Sequence, residues 1–272
     1  MTNLMDWQGV TGQSWADEWR RTDRSFAPLT ARLLETISAE PGERVLDIGC
    51  GAGELALAVA AARPGAQVLG LDISPELVRA AQLRAGPGNV RFALGDAAGW
   101  SDPAFVPDLL VSRHGVMFFG DPPAAFAHLA AASAPDARLV FSCFRSARLN
   151  SWAAAIARLL PASGGAPADP HAPGPFAFAD PVHVRAVLAA GWTDIAFEEV
   201  DFAYVAGEGE DAVNDAAAFF SRIGPFAAAM RSLPEAERPA LREAVRGVIE
   251  QHREESRIVF RAAAWIVSAR RR

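Results

Sequence analysis

The sequence predicts an α/β fold of the doubly wound kind, a mainly parallel sheet covered by helices on both faces. Three observations carry that expectation. Short apolar runs alternate with helix-patterned segments through the first half of the chain, as strand–helix–strand units require. The runs "RVLDI", "QVLGLD", "VRFALGD", "DLLVSR" and "RLVFSCF" read as buried strands of a parallel sheet. A glycine loop, "VLDIGCGAGELALAVA", joins the first of them to a helix, and in such sheets ligands sit beyond the strand C-termini.

In chain order, Phe26, Leu29, Leu33, Leu34 and Ile37 stand near helical spacing and predict a helix over 25–38. "PGE" ends it and "RVLDI" follows as the first strand. A helix over 53–62 is stopped by Pro64 and Gly65. After "QVLGLD", Ser74 supplies an N-cap and Pro75 a first-turn proline for a helix reaching about residue 85. Strands three and four are followed by a helix over 122–133 and the fifth strand. Beyond Arg145 the pattern changes. "PASGGAPADPHAPGP" is long for a connection in a compact domain. "DPVHVRAVLAAGW" returns to helix, "TDIAFEEV" to strand, 210–253 to helices punctuated by prolines, and "RIVFRAAAWIVSA" to a final strand. The expected organisation is an N-terminal helical segment (1–40) able to act as a lid, a cofactor-binding core (41–145), and a second half (146–272) with cap inserts. Aromatics of those inserts, Trp152, Phe176, Phe178, Phe219, Phe220 and Phe226, are expected to cover a cavity, with a homodimer interface as the alternative.

Composition bounds the function. The 272 residues are 51% hydrophobic with a net charge of -6, which excludes general disorder and lacks the basic surface a nucleic-acid partner needs. The two cysteines, Cys50 and Cys143, have no CxxC spacing, so neither a zinc site nor a disulfide framework is expected. With no signal-like start and no apolar run long enough to span a bilayer, the expectation is a cytoplasmic protein without a membrane partner.

The chemistry concentrates at the strand ends. A nicotinamide fingerprint would read G-x-G-x-x-G; here Gly49, Gly51 and Gly53 alternate, and Glu54 stands where its third glycine belongs. Asp47, two residues before the loop, suits a ligand bearing an ammonium group. Asp72 closes the second strand, where a carboxylate can accept from a ribose diol. Asp96 closes the third, placed to read an adenine amine. Three acids at adjacent strand ends describe a positively charged nucleoside.

"VLDIGCGAGELALAVA", "GLDISPELVRAA" and "FALGDAAGW" resemble the successive cofactor motifs of class I S-adenosylmethionine-dependent methyltransferases. "DLLVSRHGVMFFGDPPAAFAHLAAA", "GPFAFADPVHVRAVLAAGW" and "AAAWIVSARR" are similar to a bacterial small-molecule subgroup of that family. The resemblance implies a Rossmann-like, seven-stranded sheet with its last strand antiparallel, and S-adenosyl-L-methionine as cofactor. It implies that Asp47 and the loop (Gly49, Cys50, Gly51, Gly53) hold the methionyl end, Asp72 the ribose, and Asp96 with Ala97 the adenine, against which Ile73 packs. "APDAR" replaces the P-G-G turn usual in the family. His114 stands where the subgroup carries an aromatic residue and is the candidate general base, with a pocket-wall role as the alternative. Arg113 either meets the cofactor's carboxylate or caps the sheet. Trp15 and Trp19, four residues apart, share a helix face and belong either to the core or to a lid over the cofactor. The expected reaction is methyl transfer to an O, N or C nucleophile of a small, apolar molecule. The rivals are a nicotinamide-dependent oxidoreductase and a non-catalytic adenosylmethionine-binding protein.

Overall fold

The computed structural model describes residues 7–86, 88–159 and 169–272. Most of the Pro/Gly/Ala-rich stretch (160–168) lies outside them. Helices α1 (Val10–Asp17) and α2 (Trp19–Ala39) lead into β1 (Arg44–Ile48), α3 (Glu54–Ala62), β2 (Gln67–Asp72), α4 (Pro75–Arg84), β3 (Val90–Leu94), β4 (Leu109–Arg113), α5 (Pro122–Ala132) and β5 (Arg138–Phe144). The second half adds α6 (Ser151–Ala157), α7 (Pro181–Leu188), β6 (Trp192–Glu208), α8 (Ala212–Arg222), α9 (Gly224–Ser232), α10 (Arg238–Glu250), β7 (Arg253–Glu254) and β8 (Arg257–Arg271).

The strands form one sheet in the order β3-β2-β1-β4-β5-β8-β6, with β7 beside β8. β1 to β5 pair in parallel, and β8 runs antiparallel to both β5 and β6. The sheet has eight strands instead of the implied seven because two residues, Arg253 and Glu254, fold back on β8. The chain steps outward from β1 to β3 and then returns to the other side of β1 as β4. The β1 and β4 ends therefore diverge, which opens a crevice between their loops. Val45 to Ile48, Leu109 to Ser112 and Leu139 to Phe144 are buried at every position, so these central strands are covered on both faces.

Local sequence explains most element starts. Ser74, Asp121 and Asp180 each accept an N-terminal N–H of the helix that follows, and each is followed by proline. That pairing satisfies one orphan donor and places the residue without an N–H where none is needed. Two elements exceed their sequence signals. α2 begins at Trp19 and carries Pro28 inside. The buried stripe of Thr22, Ser25, Phe26, Leu29, Thr30, Leu33 and Ile37 outweighs the proline's cost of roughly 3 kcal/mol. β6 extends well past "TDIAFEEV", because Val200, Phe202 and Tyr204 are buried in alternation with exposed Asp201 and Ala203, the period of a strand with one wet face.

The insert aromatics divide: Trp152 and Phe220 line a cavity, and others serve the core. Phe178, Phe219 and Phe226 are at most 2% exposed and belong to the core. Phe178 packs on Phe126 and Phe141 with ring centroids 6.1 and 6.2 Å apart. Their apolar content is consumed inside the molecule.

Candidate active site

Two strand-end loops make the site by touching. Gly49 has φ +64°, and a Cβ there would lie 2.9 Å from the Gly115 Cα. A Cβ on Gly115 would lie 2.5 Å from the Ile48 carbonyl oxygen. Only a glycine pair allows this approach of the β1 and β4 loops. Ser112 fastens it, donating to Ile48 O at 2.7 Å and accepting from Gly115 N at 3.2 Å. The crevice above is a cavity of about 260 Å³.

The structure brings Asp47, Gly49, Cys50, Gly51, Asp72, Ile73, Asp96, Ala97, Arg113, His114 and Trp15 to the wall of this one cavity. Gly53 is the exception. With φ +90° it precedes α3 in the left-handed conformation, and a Cβ there would strike Phe92 at 2.7 Å and Ala81 at 3.0 Å. Gly53 turns the chain and lets α3 sit close to its neighbours; it does not line the cavity.

Asp47 is 1% exposed, and neither carboxylate oxygen has a hydrogen-bond partner among the described residues. Burial pushes its pKa up to about 8; the Arg113 charge and the nearby Ala56 N–H, which falls outside hydrogen-bond geometry, oppose the rise, and Asp72 adds to it. Asp72 is differently placed. Its Oδ2 accepts from Gly51 N at 2.8 Å and its Oδ1 from Ser74 N at 2.9 Å. Burial raises its pKa, and those backbone bonds pull the other way. Each oxygen keeps a second lone-pair direction. A Cβ on Gly51 would meet nothing within 4 Å, so the loop leaves open space at the residue whose N–H meets Asp72. Asp96 is exposed at the rim and holds its own turn by accepting from Ala98 N at 2.9 Å.

Arg113 is committed to the protein. It pairs with Glu54, donates to Thr30 Oγ1 at 2.9 Å and lies 3.7 Å from Asp23, which is bound in turn by Arg84 at 2.7 Å. Arg84 also donates to the Ala52 carbonyl at 2.8 Å. This alternating chain of charges ties α2 to the glycine loop and to β4. Glu54, the residue that breaks the dinucleotide fingerprint, is one end of it.

His114 follows at φ +62°. Its Nδ1 lies 2.8 Å from Ser142 Oγ, and Nε2 is buried with no partner among the described residues. Burial, then the Arg113 charge, drives its pKa down to about 3. The imidazole is therefore neutral at physiological pH, far from the poise of a general base. It packs against Phe144 at 4.2 Å and Phe26 at 5.1 Å. Trp152 and Tyr204 stack at 5.8 Å, and Tyr204 meets Phe26 edge-on at 5.5 Å. These rings, with Phe220 and Ile223, make one end of the cavity aromatic.

The N-terminal segment closes the other side. Trp7, Trp15 and Trp19 line the cavity, and Trp7 meets Phe118 edge-on at 5.0 Å across the mouth. A break at Glu18 separates α1 from α2, so Trp15 and Trp19 share the cavity without sharing one helix. Trp19 is held between Arg20 and Arg84 at 4.3 and 3.8 Å. Asp23, Gly115 and Tyr204 carry no local signal in the sequence; long-range topology brings them in.

Among the described residues no group of three or more His, Cys, Asp or Glu is placed to hold a metal ion. No described helix is long and apolar enough to cross a membrane.

Residues 18–172 match the family described as methyltransferase domain. Nocamycin O-methyltransferase of Saccharothrix syringae is 39% identical over 119 residues, 42% of each chain. Trans-aconitate 2-methyltransferase of Streptomyces avermitilis is 42% identical over 94 residues, 33% of this chain and 34% of that one. The chain thus matches less than half the length of these relatives. Magnesium protoporphyrin IX methyltransferase of Synechocystis, solved with SAH bound, superposes with a TM-score of 0.53 at 18% identity over 94% of this chain and 93% of its own, a likeness of fold. The family match takes in β1 to β5 and the loops that build the cavity, and the chain belongs to the methyltransferase-domain family.

Proposed function

We propose that the protein transfers a methyl group from S-adenosylmethionine to a small, apolar acceptor. One observation carries the reading: Asp47, a fully buried carboxylate without a hydrogen-bond partner among the described residues, belongs to the lining of the cavity at a glycine loop. A buried charge requires a counter-ion, and the ammonium of a methionyl group supplies it. Asp72 has lone pairs left for the ribose diol, and Ile73, Asp96 and Ala97 form the edge for the adenine. The bound cofactor supplies an electrophilic methyl on a positively charged sulfur.

The chain's own residues then have two tasks. The aromatic end positions the acceptor and keeps water out, and such positioning contributes about 7–11 kcal/mol. Arg113, locked to Glu54 and Asp23, holds the loops in place. The 1–40 segment acts as the lid, 41–145 as the cofactor core, and 146–272 completes the acceptor end through Trp152, Tyr204 and Phe220. Free, buried Cys50 and Cys143 suit a reducing, cytoplasmic setting.

Calorimetric titration with adenosylmethionine, adenosylhomocysteine and NAD tests the cofactor assignment. Binding of the first two without the third is expected; NAD binding alone would favour an oxidoreductase. Methyl-labelled adenosylmethionine incubated with small-molecule extracts then tests transfer.

The lid has its own test. A Cβ on Gly12 would lie 2.1 Å from Trp7 O and 2.3 Å from Ser74 Oγ, so α1 rests on α4 through bare backbone. Gly12→Val is expected to lift α1, raise amide exchange over 7–17, and weaken cofactor binding at least tenfold (about 1.4 kcal/mol). Faster exchange with unchanged affinity would mean that the tryptophans only pack.

A further inference from the structure

His114 lines the cavity with one ring nitrogen satisfied and the other not, and its tautomer follows from its neighbour. Ser142 is fully buried, and among the described residues its hydroxyl meets only His114 Nδ1, at 2.8 Å. A buried hydroxyl must donate somewhere, so Ser142 O–H donates and Nδ1 accepts. Nε2 therefore carries the hydrogen. The opposite tautomer would bury the Ser142 hydrogen without an acceptor. His114 then has no free lone pair with which to take a proton, and it presents a donor without a partner among the described residues.

We propose that His114 Nε2–H is the hydrogen-bond donor for the acceptor's oxygen, and that the acceptor is an oxyanion, a phenolate or enolate already ionised when it binds. This rests on the adenosylmethionine reading above. Around the imidazole the other titratable groups offer no base either. From β4, Arg113 is paired with Glu54 and with Asp23 of α2. From β6, Tyr204 is buried, which raises its pKa above the usual phenol value. From β5, burial does the same to the Cys143 thiol. On β1, Asp47 belongs to the cofactor's ammonium. The low pKa of His114 agrees with the donor role, since the ring stays neutral across the physiological range.

The remaining surroundings suit a flat, conjugated anion. Phe26, Phe144, Trp152 and Tyr204 supply ring faces and edges, and an apolar box needs at least one donor to hold a charged oxygen. An acceptor that arrives ionised has no proton to lose. One oxygen lone pair accepts from Nε2–H, while another forms the new O–C bond as the electrons of the breaking S–C bond stay on sulfur. The acceptor's negative charge and the sulfonium's positive charge cancel, and nothing is left for a base to collect.

The test is calorimetric titration of the protein saturated with adenosylhomocysteine. The probes are chloro- and nitro-substituted phenols and cyclic 1,3-diones with pKa values on both sides of neutrality, each beside its methyl ether. Wild type should bind each ionised probe at least tenfold more tightly than its ether, with the affinity midpoint following each probe's own pKa. His114→Phe should lose that preference about tenfold, His114→Gln, which keeps an N–H, should retain it within threefold, and Ser142→Ala should fall between. A midpoint fixed at one pH for all probes, an unchanged preference in His114→Phe, or no binding by any ionised probe overturns the proposal. Loss of adenosylhomocysteine binding by the wild type would instead overturn the cofactor reading, and its retention by the variants shows that they fold.

Discussion

Asp47→Asn is expected to weaken adenosylmethionine binding by about two to four orders of magnitude, because breaking a buried ion pair costs roughly 3–5 kcal/mol. The same carboxyl predicts a proton signature. Its pKa stands at about 8 in the ligand-free protein, and an ammonium at van der Waals range draws it down. Below pH 8 the free protein holds a proton there that the complex releases. Calorimetry in buffers of different ionisation enthalpy should show release approaching one proton at pH 6 and fading well above pH 8. Asp47→Asn should abolish it. The sign for folding is opposite to that of an ordinary ion-paired acid. The folded state keeps a proton that the unfolded chain loses above its value of 3.8, so this contribution is full below pH 4 and lost as pH rises to 8. At pH 7 the loss is ~4 kcal/mol, and urea unfolding of the asparagine variant should lack that decline. Binding with no proton release in the wild type would contradict the assignment of Asp47 to the ammonium.

Asp72→Ala is expected to remove measurable cofactor affinity and also to destabilise the fold. Two charged hydrogen bonds to a ribose diol are worth roughly 1.5–3 kcal/mol each, which is more than a hundredfold in binding. Sequence reasoning sets a helix-start role for Asp72, ahead of Ser74 and Pro75, beside the ligand contact and favours the contact, so that its loss would leave the fold intact. The structure gives it a second task. Its two oxygens hold the N–H groups of Gly51 and Ser74, one in the glycine loop and one at the start of α4. Leaving both unsatisfied costs about 1–3 kcal/mol apiece. A urea midpoint equal to wild type would show that water replaces those bonds; unchanged affinity in a folded variant would remove Asp72 from the site.

Legible in the sequence is whatever is written locally. Strand ends, N-caps and the glycine loop depend on neighbours a few residues apart, so local spacing alone puts Asp47, Asp72 and Asp96 at adjacent strand ends. Positions that depend on crossovers are not legible. Asp23 and Tyr204 enter from α2 and β6, separated by most of the chain, and no spacing rule links them to Arg113. Gly53 shows the opposite case. Its place in the motif suggests a ligand contact, while its backbone and Phe92 give it a packing duty. Among the insert phenylalanines the sequence does not separate Phe220, which lines the cavity, from Phe178, which Phe126 and Phe141 already face. Trp7 stays hidden because one tryptophan near a chain start carries no periodicity.

The pairing of β6 with β8 reaches well beyond the rest of the sheet, to Glu208 opposite Arg257. Helices α8, α9 and α10 leave the ladder at one of these partners and return at the other. The entry and exit of that segment are therefore a strand spacing apart, about 5 Å, and both are clamped by the ladder. The segment is also tied to the N-terminal helices, Asp215 pairing with Arg21 and Arg24 and Arg222 with Asp17 and Glu18. That segment is thus hung from two adjacent rungs of one ladder, and Phe220 and Ile223 reach the cavity wall from it.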